Sequence, residues 1–171
     1  MDILILSYSL NGSNGAVAAA LAGKIGARHL CIATRSKSPI GPMFSTVVGT
    51  SPAVKPRWED LGHPDFILLC APTWMGRLAS PVRTYLKELK KSDMPFAVLS
   101  VSGRGRENSK VPAEIVARAG RSPRLILSYA LTDFLPPDLQ EDMPAVMAYR
   151  LSPEDVESVV VKAAAELKNV L

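Results

Sequence analysis

Three clusters in this 171-residue chain carry residue types suited to gripping a ligand. The first, Ser9, Leu10, Asn11, Gly12, Ser13, Asn14 and Gly15, follows a short apolar run and leads straight into an alanine-rich helical pattern. The first N–H groups of a helix have no partner within it, so a loop in this position is a ready anion site. Hydroxyls of Ser9 and Ser13 and side-chain amides of Asn11 and Asn14 could donate to phosphate oxygens, while Gly12 allows close backbone approach. The same residue types also build capped turns, so the loop alone leaves both readings open.

The second cluster is Ala71, Pro72, Thr73, Trp74, Met75, Gly76 and Arg77. A tryptophan just past a strand, flanked by Pro, Thr and Gly, is placed to stack on a flat ring. Such stacking is worth about 0.5–1.5 kcal/mol beyond the area it buries. A tryptophan packed beneath the following loop is the other reading of the same residues. The third cluster, Ser102, Gly103, Arg104, Gly105, Arg106, Glu107 and Asn108, is glycine-bearing and cationic. Its Gly-x-Gly start does not complete a dinucleotide fingerprint, since Asn108 stands where the third glycine belongs.

Other chemistries fit less well. Cys70 and Arg77 suggest a phosphatase Cys-x5-Arg loop, but Gly76 occupies the position the arginine needs, which makes Cys70 a core thiol. His29 and His63 are the only histidines, far apart and without a metal-ligand cluster around them. Neither a Gly-x-Ser-x-Gly elbow nor a Walker A loop occurs.

The elements that position these clusters follow from hydrophobic patterning. Ile3 to Leu6, Leu30 to Ala33, Phe66 to Ala71, Phe96 to Val101 and Leu125 to Leu131 read as buried strands, the habit of parallel sheets. Between them, Ala16–Ala27, Pro81–Lys91 and Val111–Ala119 show helical spacing. Ser80 reads as the cap before Pro81. Ser152 caps a last helix with Pro153 at its first position and Glu154 and Asp155 in its first turn. Alternating strands and helices argue for an α/β sheet covered on both faces. Each cluster then falls at the carboxyl end of a strand, where such sheets bind ligands. The stretch from Thr34 to Pro64, with five prolines, fits this scheme least; Met43–Val48 could form a short helix within it.

Composition places the chain as one compact domain, 1–171, with 47% apolar and 21% charged residues. Two separated cysteines in apolar stretches suit reduced core thiols, and the amino terminus lacks a secretory leader, so a cytoplasmic setting is expected. No apolar run reaches the roughly 20 residues of a membrane span. The net charge of +4 is scattered rather than blocked, which speaks against nucleic acid as a partner.

The clusters together resemble the flavodoxin family. Its phosphate loop, Thr-x-Thr-Gly-x-Thr, aligns with Ser9 to Asn14, and its Pro-x-aromatic-x-Gly flavin loop aligns with Pro72 to Gly76. The stretch DFILLCAPTWMGRLASPVRTYL, residues 65–86, is similar to the strand, flavin loop and helix of small members, and Ser102 to Gly105 resembles the third flavin loop. The likeness implies a three-layer α/β sandwich with a five-stranded parallel sheet ordered 2-1-3-4-5. It implies FMN as cofactor and a peptide flip at Gly76 toward the ring. The chain departs from the pattern where Asn replaces Thr twice in the phosphate loop, and in being basic where electron carriers are acidic. Arginines at 77, 104 or 106 near a flavin would make its reduction potential less negative. Three functions stay open: an electron carrier serving a redox partner protein or small-molecule acceptor, an NAD(P)H-dependent quinone or flavin reductase completed by a homodimer, and a flavin-free binding or regulatory module.

Overall fold

The computed structural model describes residues 1–34, 51–104 and 110–171. Five parallel strands make one sheet: β1 (Ile3–Ser7), β2 (Arg28–Cys31), β3 (Phe66–Cys70), β4 (Phe96–Ser102) and β5 (Ile126–Ala130). Their spatial order is β2-β1-β3-β4-β5, the 2-1-3-4-5 arrangement of the flavodoxin-like fold. Helices α1 (Ser13–Ile25), α2 (Ser80–Leu89), α3 (Lys110–Ala119), α4 (Met143–Ala148) and α5 (Pro153–Leu167) complete the described architecture.

Successive strand residues point to opposite faces, so each continuous apolar run feeds two cores. Ile3, Ile5, Leu68 and Leu99 pack with α1 and α5 on one side. Leu4, Leu6, Leu69 and Val98 pack with α2 and α3 on the other. That is why β1, β3 and β4 are buried at every position, whereas the edge strands β2 and β5 are partly exposed. Ser7 of β1 pairs with both Cys31 and Cys70, so the carboxyl ends of three strands stop level with one another. The loops that follow them begin from a common edge.

Several boundaries differ from the sequence reading. The second strand begins at Arg28 and ends at Cys31, because pairing with β1 starts at Leu4 opposite Arg28. Ala33–Thr34 then leaves the sheet to pair antiparallel with Val54–Lys55. Ser80 is the first residue of α2, and Ala79 takes the cap position. Cys31 is exposed on the edge strand rather than a core thiol; Cys70 is buried as expected, and its burial pushes the thiol's pKa up. In the proline-rich stretch, residues 51–64 lie against α2: Thr84 Oγ1 donates to the Pro52 carbonyl at 2.9 Å and Tyr85 Oη to that of Pro56 at 2.7 Å. The helix expected at Met43–Val48 falls outside the described residues. The last helix begins as read, with Ser152 Oγ accepting the Asp155 N–H at 3.2 Å and Asp155 Oδ2 accepting the Ser152 N–H at 2.9 Å. No helix among the described residues is long and apolar enough to cross a membrane.

Candidate functional site

The loop after β1 turns into α1 through Gly12, whose φ of 96° is costly for any residue with a Cβ. Most of its polar side chains are committed to the fold. Asn11 Oδ1 accepts the Ser13 N–H at 3.1 Å, and its Nδ2 donates to the Tyr149 carbonyl at 3.0 Å. Ser13 Oγ accepts the Leu151 N–H at 3.4 Å, leaving its own hydrogen free to donate. Asn14 is buried and pairs with a single β4 residue: Nδ2 donates to the Val101 carbonyl at 2.8 Å and Oδ1 accepts the Val101 N–H at 3.0 Å. Asn11 and Asn14, expected to donate to a phosphate, each commit the side-chain oxygen and one N–H to backbone groups that burial would otherwise orphan, and each Nδ2 carries one further hydrogen.

What the loop leaves over is specific. Ser9 Oγ is buried and has no hydrogen-bond partner among the described residues. The N–H groups of Asn14 and Gly15 in the first turn of α1 likewise make no bond among the described residues, whereas Ala16 N–H already reaches Gly12 O at 2.9 Å. A serine hydroxyl and helix-terminal N–H groups are all donors, which is the chemistry an anion needs.

After β3 the chain forms a hairpin, Thr73–Trp74 pairing antiparallel with Arg77–Leu78. Its two-residue tip has φ of 50° at Met75 and 73° at Gly76, the signs of a type I′ turn. Gly76 adopts this freely. Met75 does so at a cost and is 82% exposed. Trp74 is half-buried and meets Tyr8 edge to face, ring centroids 6.1 Å apart at 82°, so packing holds its indole in place.

Ser102, expected to touch a ligand, works mainly as a clamp. Its Oγ accepts the Thr73 N–H at 2.8 Å and lies 2.7 Å from Thr73 Oγ1 and 2.8 Å from Ser100 Oγ. Arg104 is engaged with Glu141 at 2.9 Å. Gly105 and Arg106 lie outside the described residues.

The three loops do converge. One cleft of about 80 Å³ is lined by Leu10 and Asn11 from the first, Pro72, Thr73 and Trp74 from the second, and Ser102 and Gly103 from the third. Ser9, Gly12, Ser13, Asn14, Met75, Gly76 and Arg104 do not line it. Met147 of α4 also faces the cleft and went unread in the sequence. Its signal was available: Asp142 caps α4 through the Ala145 N–H, with Pro144 in the first turn. Lys110 was missed as well; a Cβ on Gly76 would lie 3.9 Å from its side chain.

No family model matches the sequence, and no curated protein matches it. Solved structures do. A flavoprotein from Lactobacillus acidophilus in complex with FMN is 20% identical, with a TM-score of 0.58 over 74% of this chain and 91% of its own. A flavodoxin from the domain Archaea is 14% identical, with a TM-score of 0.54 over 98% and 99%. A WrbA-like flavodoxin from Agrobacterium tumefaciens is 16% identical, with a TM-score of 0.54 over 96% and 93%. At such identities the likeness is one of fold, and that fold is flavodoxin-like.

Proposed function

We propose that this chain is an FMN-binding redox protein that passes electrons through a flavin held at the carboxyl edge of the sheet. The observation carrying this reading is the buried Ser9 hydroxyl, without a partner among the described residues, beside the α1 N-terminus and one residue from a cleft that also presents an indole. A buried polar atom without a partner costs stability, and a phosphate oxygen would relieve it. The Lactobacillus acidophilus protein of the same fold, solved with FMN, supports the choice of ligand.

On this reading Ser9 Oγ, Ser13 Oγ and the N–H groups of Asn14 and Gly15 hold the terminal phosphate. Leu10, Trp74 and Met147 border the ring, with Pro72, Thr73, Gly103 and the Asn11 side chain around it. The flavin, when bound, supplies the one- and two-electron chemistry. The protein's share is to orient the ring, exclude water from part of it, and set the local field through Arg77, Lys110 and Arg104. Gly76 gives the tip the backbone freedom to adjust its peptide.

The exposed rim of Leu10, Met75 and Met147 (37%, 82% and 47% exposed) favours a second reading, in which a flat acceptor or a nicotinamide approaches the ring directly. In that case the protein is an NAD(P)H-dependent reductase, with a second copy of the chain closing the site. As a carrier it would use the same rim to meet a partner protein.

Titrating the purified protein with FMN tests the common premise: flavin fluorescence should quench and the melting temperature should rise with ligand. Trp74→Ala should weaken binding by roughly 2- to 13-fold, the equivalent of the stacking contribution. Saturating FMN that leaves the melting temperature unmoved would falsify the proposal. Stopped-flow mixing of the loaded protein with NADPH separates the two roles, since rapid bleaching marks a reductase and none marks a carrier.

A further inference from the structure

The hairpin that carries Trp74 is held from outside on both edges. Trp74 and Arg77 close its tip, and Thr73 and Leu78 form the next pair. In an antiparallel ribbon closed this way, the N–H groups of that next pair point outward. Both outward N–H groups end on side chains of other elements. Thr73 donates to Ser102 Oγ at the end of β4 at 2.8 Å, and Leu78 donates to Glu114 Oε2 on α3 at 2.9 Å.

Glu114 is itself fixed. Its Oε1 lies 2.9 Å from Arg83 Nε and accepts from Arg118 Nε at 3.1 Å. The Arg83 side chain is fully buried and that of Glu114 is 12% exposed. Two guanidinium groups on one oxygen orient the carboxylate and leave the other oxygen for the hairpin. An external anchor answers a need visible at the tip, because Met75 holds a left-handed φ of 50°. A non-glycine residue stays in that region only where its surroundings over-determine it.

We propose that Glu114 is a positioning residue of the ring site: through the Leu78 N–H it sets the tilt of the Trp74–Met75–Gly76 tip, as the opposite jaw to Ser102. The inference concerns geometry and stands on the hairpin itself; only its ligand readout rests on the flavin reading above.

The competing role is charge balance for Arg83, and variants in an Arg83→Met background separate the two, since the buried cation is then gone. With Trp58→Phe added, Trp74 is the sole indole, because the chain has two tryptophans. Glu114→Gln in this background keeps an acceptor for Leu78, and Glu114→Ala removes it. The Ala variant should alter the near-UV dichroism of Trp74 and weaken FMN and riboflavin by the same factor, about tenfold. The Gln variant should match the background on both counts. An equal loss for both flavins locates the effect at the ring rather than the phosphate.

If the Ala and Gln variants share one Trp74 spectrum and one flavin affinity, Glu114 serves Arg83 alone and the proposal is overturned. Should the wild-type chain bind no flavin, the function reading fails while the Trp74 spectrum still decides this one. Should the variants not fold, the wild-type chain suffices: the Leu78 amide, bonded to Glu114 Oε2 at 2.9 Å, must exchange slowly with solvent deuterium, and an amide that exchanges as fast as that of Met75 overturns the proposal.

Discussion

Ser9→Ala separates a ligand-binding hydroxyl from a structural one, because the two roles predict opposite signs. Ser9 Oγ is buried without a partner among the described residues. A buried hydroxyl in that state costs about 1–3 kcal/mol. Removing it should leave stability unchanged or raise it by up to about 1 kcal/mol, since water reaching the loop offsets part of the penalty. If the proposed reading holds, the same hydroxyl donates to a charged oxygen of bound FMN, a bond worth about 1.5–3 kcal/mol, so affinity should fall roughly 10- to 150-fold. Urea unfolding of the flavin-free variant measures the first quantity and fluorescence quenching on FMN titration the second. Riboflavin, which lacks the phosphate, is the control and should bind both proteins equally. A variant that loses more than about 1 kcal/mol without flavin, or that binds FMN as the wild type does, refutes the assignment of Ser9 to the phosphate.

Asn14→Ala should behave the other way, because it orphans the Val101 N–H and carbonyl together. We expect a loss of about 2–5 kcal/mol in urea unfolding, and a loss below about 1 kcal/mol would mean that β4 finds other partners. His29 is half-buried, its Nε2 2.8 Å from Ser7 Oγ, and burial lowers its pKa below the ordinary 6.5. The unfolded chain therefore takes up that proton first: stability is intact above about pH 6.5 and declines as pH falls toward the folded value. Melting temperatures from about pH 8 to 5 should show this slope flattened in His29→Gln. Lys110→Gln removes a cation whose stem runs beside Gly76. The potential of bound flavin should become more negative by some tens of millivolts, and a redox titration showing no change or the opposite sign contradicts the field argument.

The sheet was legible in the sequence because each interior strand must satisfy two cores at once. Ile3 to Leu6 has no polar residue to spare on either face, and the same holds for Phe66 to Cys70. Edges were harder to read. Arg28 and Cys31 are exposed in β2, so hydrophobicity marks that strand poorly, and its true register is fixed by β1 rather than by its own side chains. The Trp74 hairpin escaped notice for a related reason. Met-Gly is not a favoured type I′ pair, and the turn is sustained by Ser102 and Glu114, which lie far from it in sequence. Glu114 stands four residues before Arg118, which signals a helix-surface pair but says nothing of Leu78.

The loop residues carry a different lesson, one that turns the departure from the Thr-x-Thr-Gly-x-Thr pattern into a consequence of the fold. Ser, Thr and Asn suit a phosphate loop and a capped turn equally, so composition cannot assign them; only the accounting of hydrogen bonds does. Asn14 spans both the N–H and the carbonyl of Val101, a peptide-like pairing that needs a donor and an acceptor on separate atoms. One threonine hydroxyl cannot reach both. Asn11 does two jobs as well, closing the turn at Ser13 and fixing Tyr149, which ties the loop before α1 to the segment between α4 and α5. Asparagine at these positions thus spends the carboxamides on holding the loop against its neighbours. On the proposed reading the grip on an anion falls chiefly to the Ser9 and Ser13 hydroxyls and the first N–H groups of α1. Restoring threonine at position 14 should therefore destabilise the chain rather than improve its hold on a phosphate.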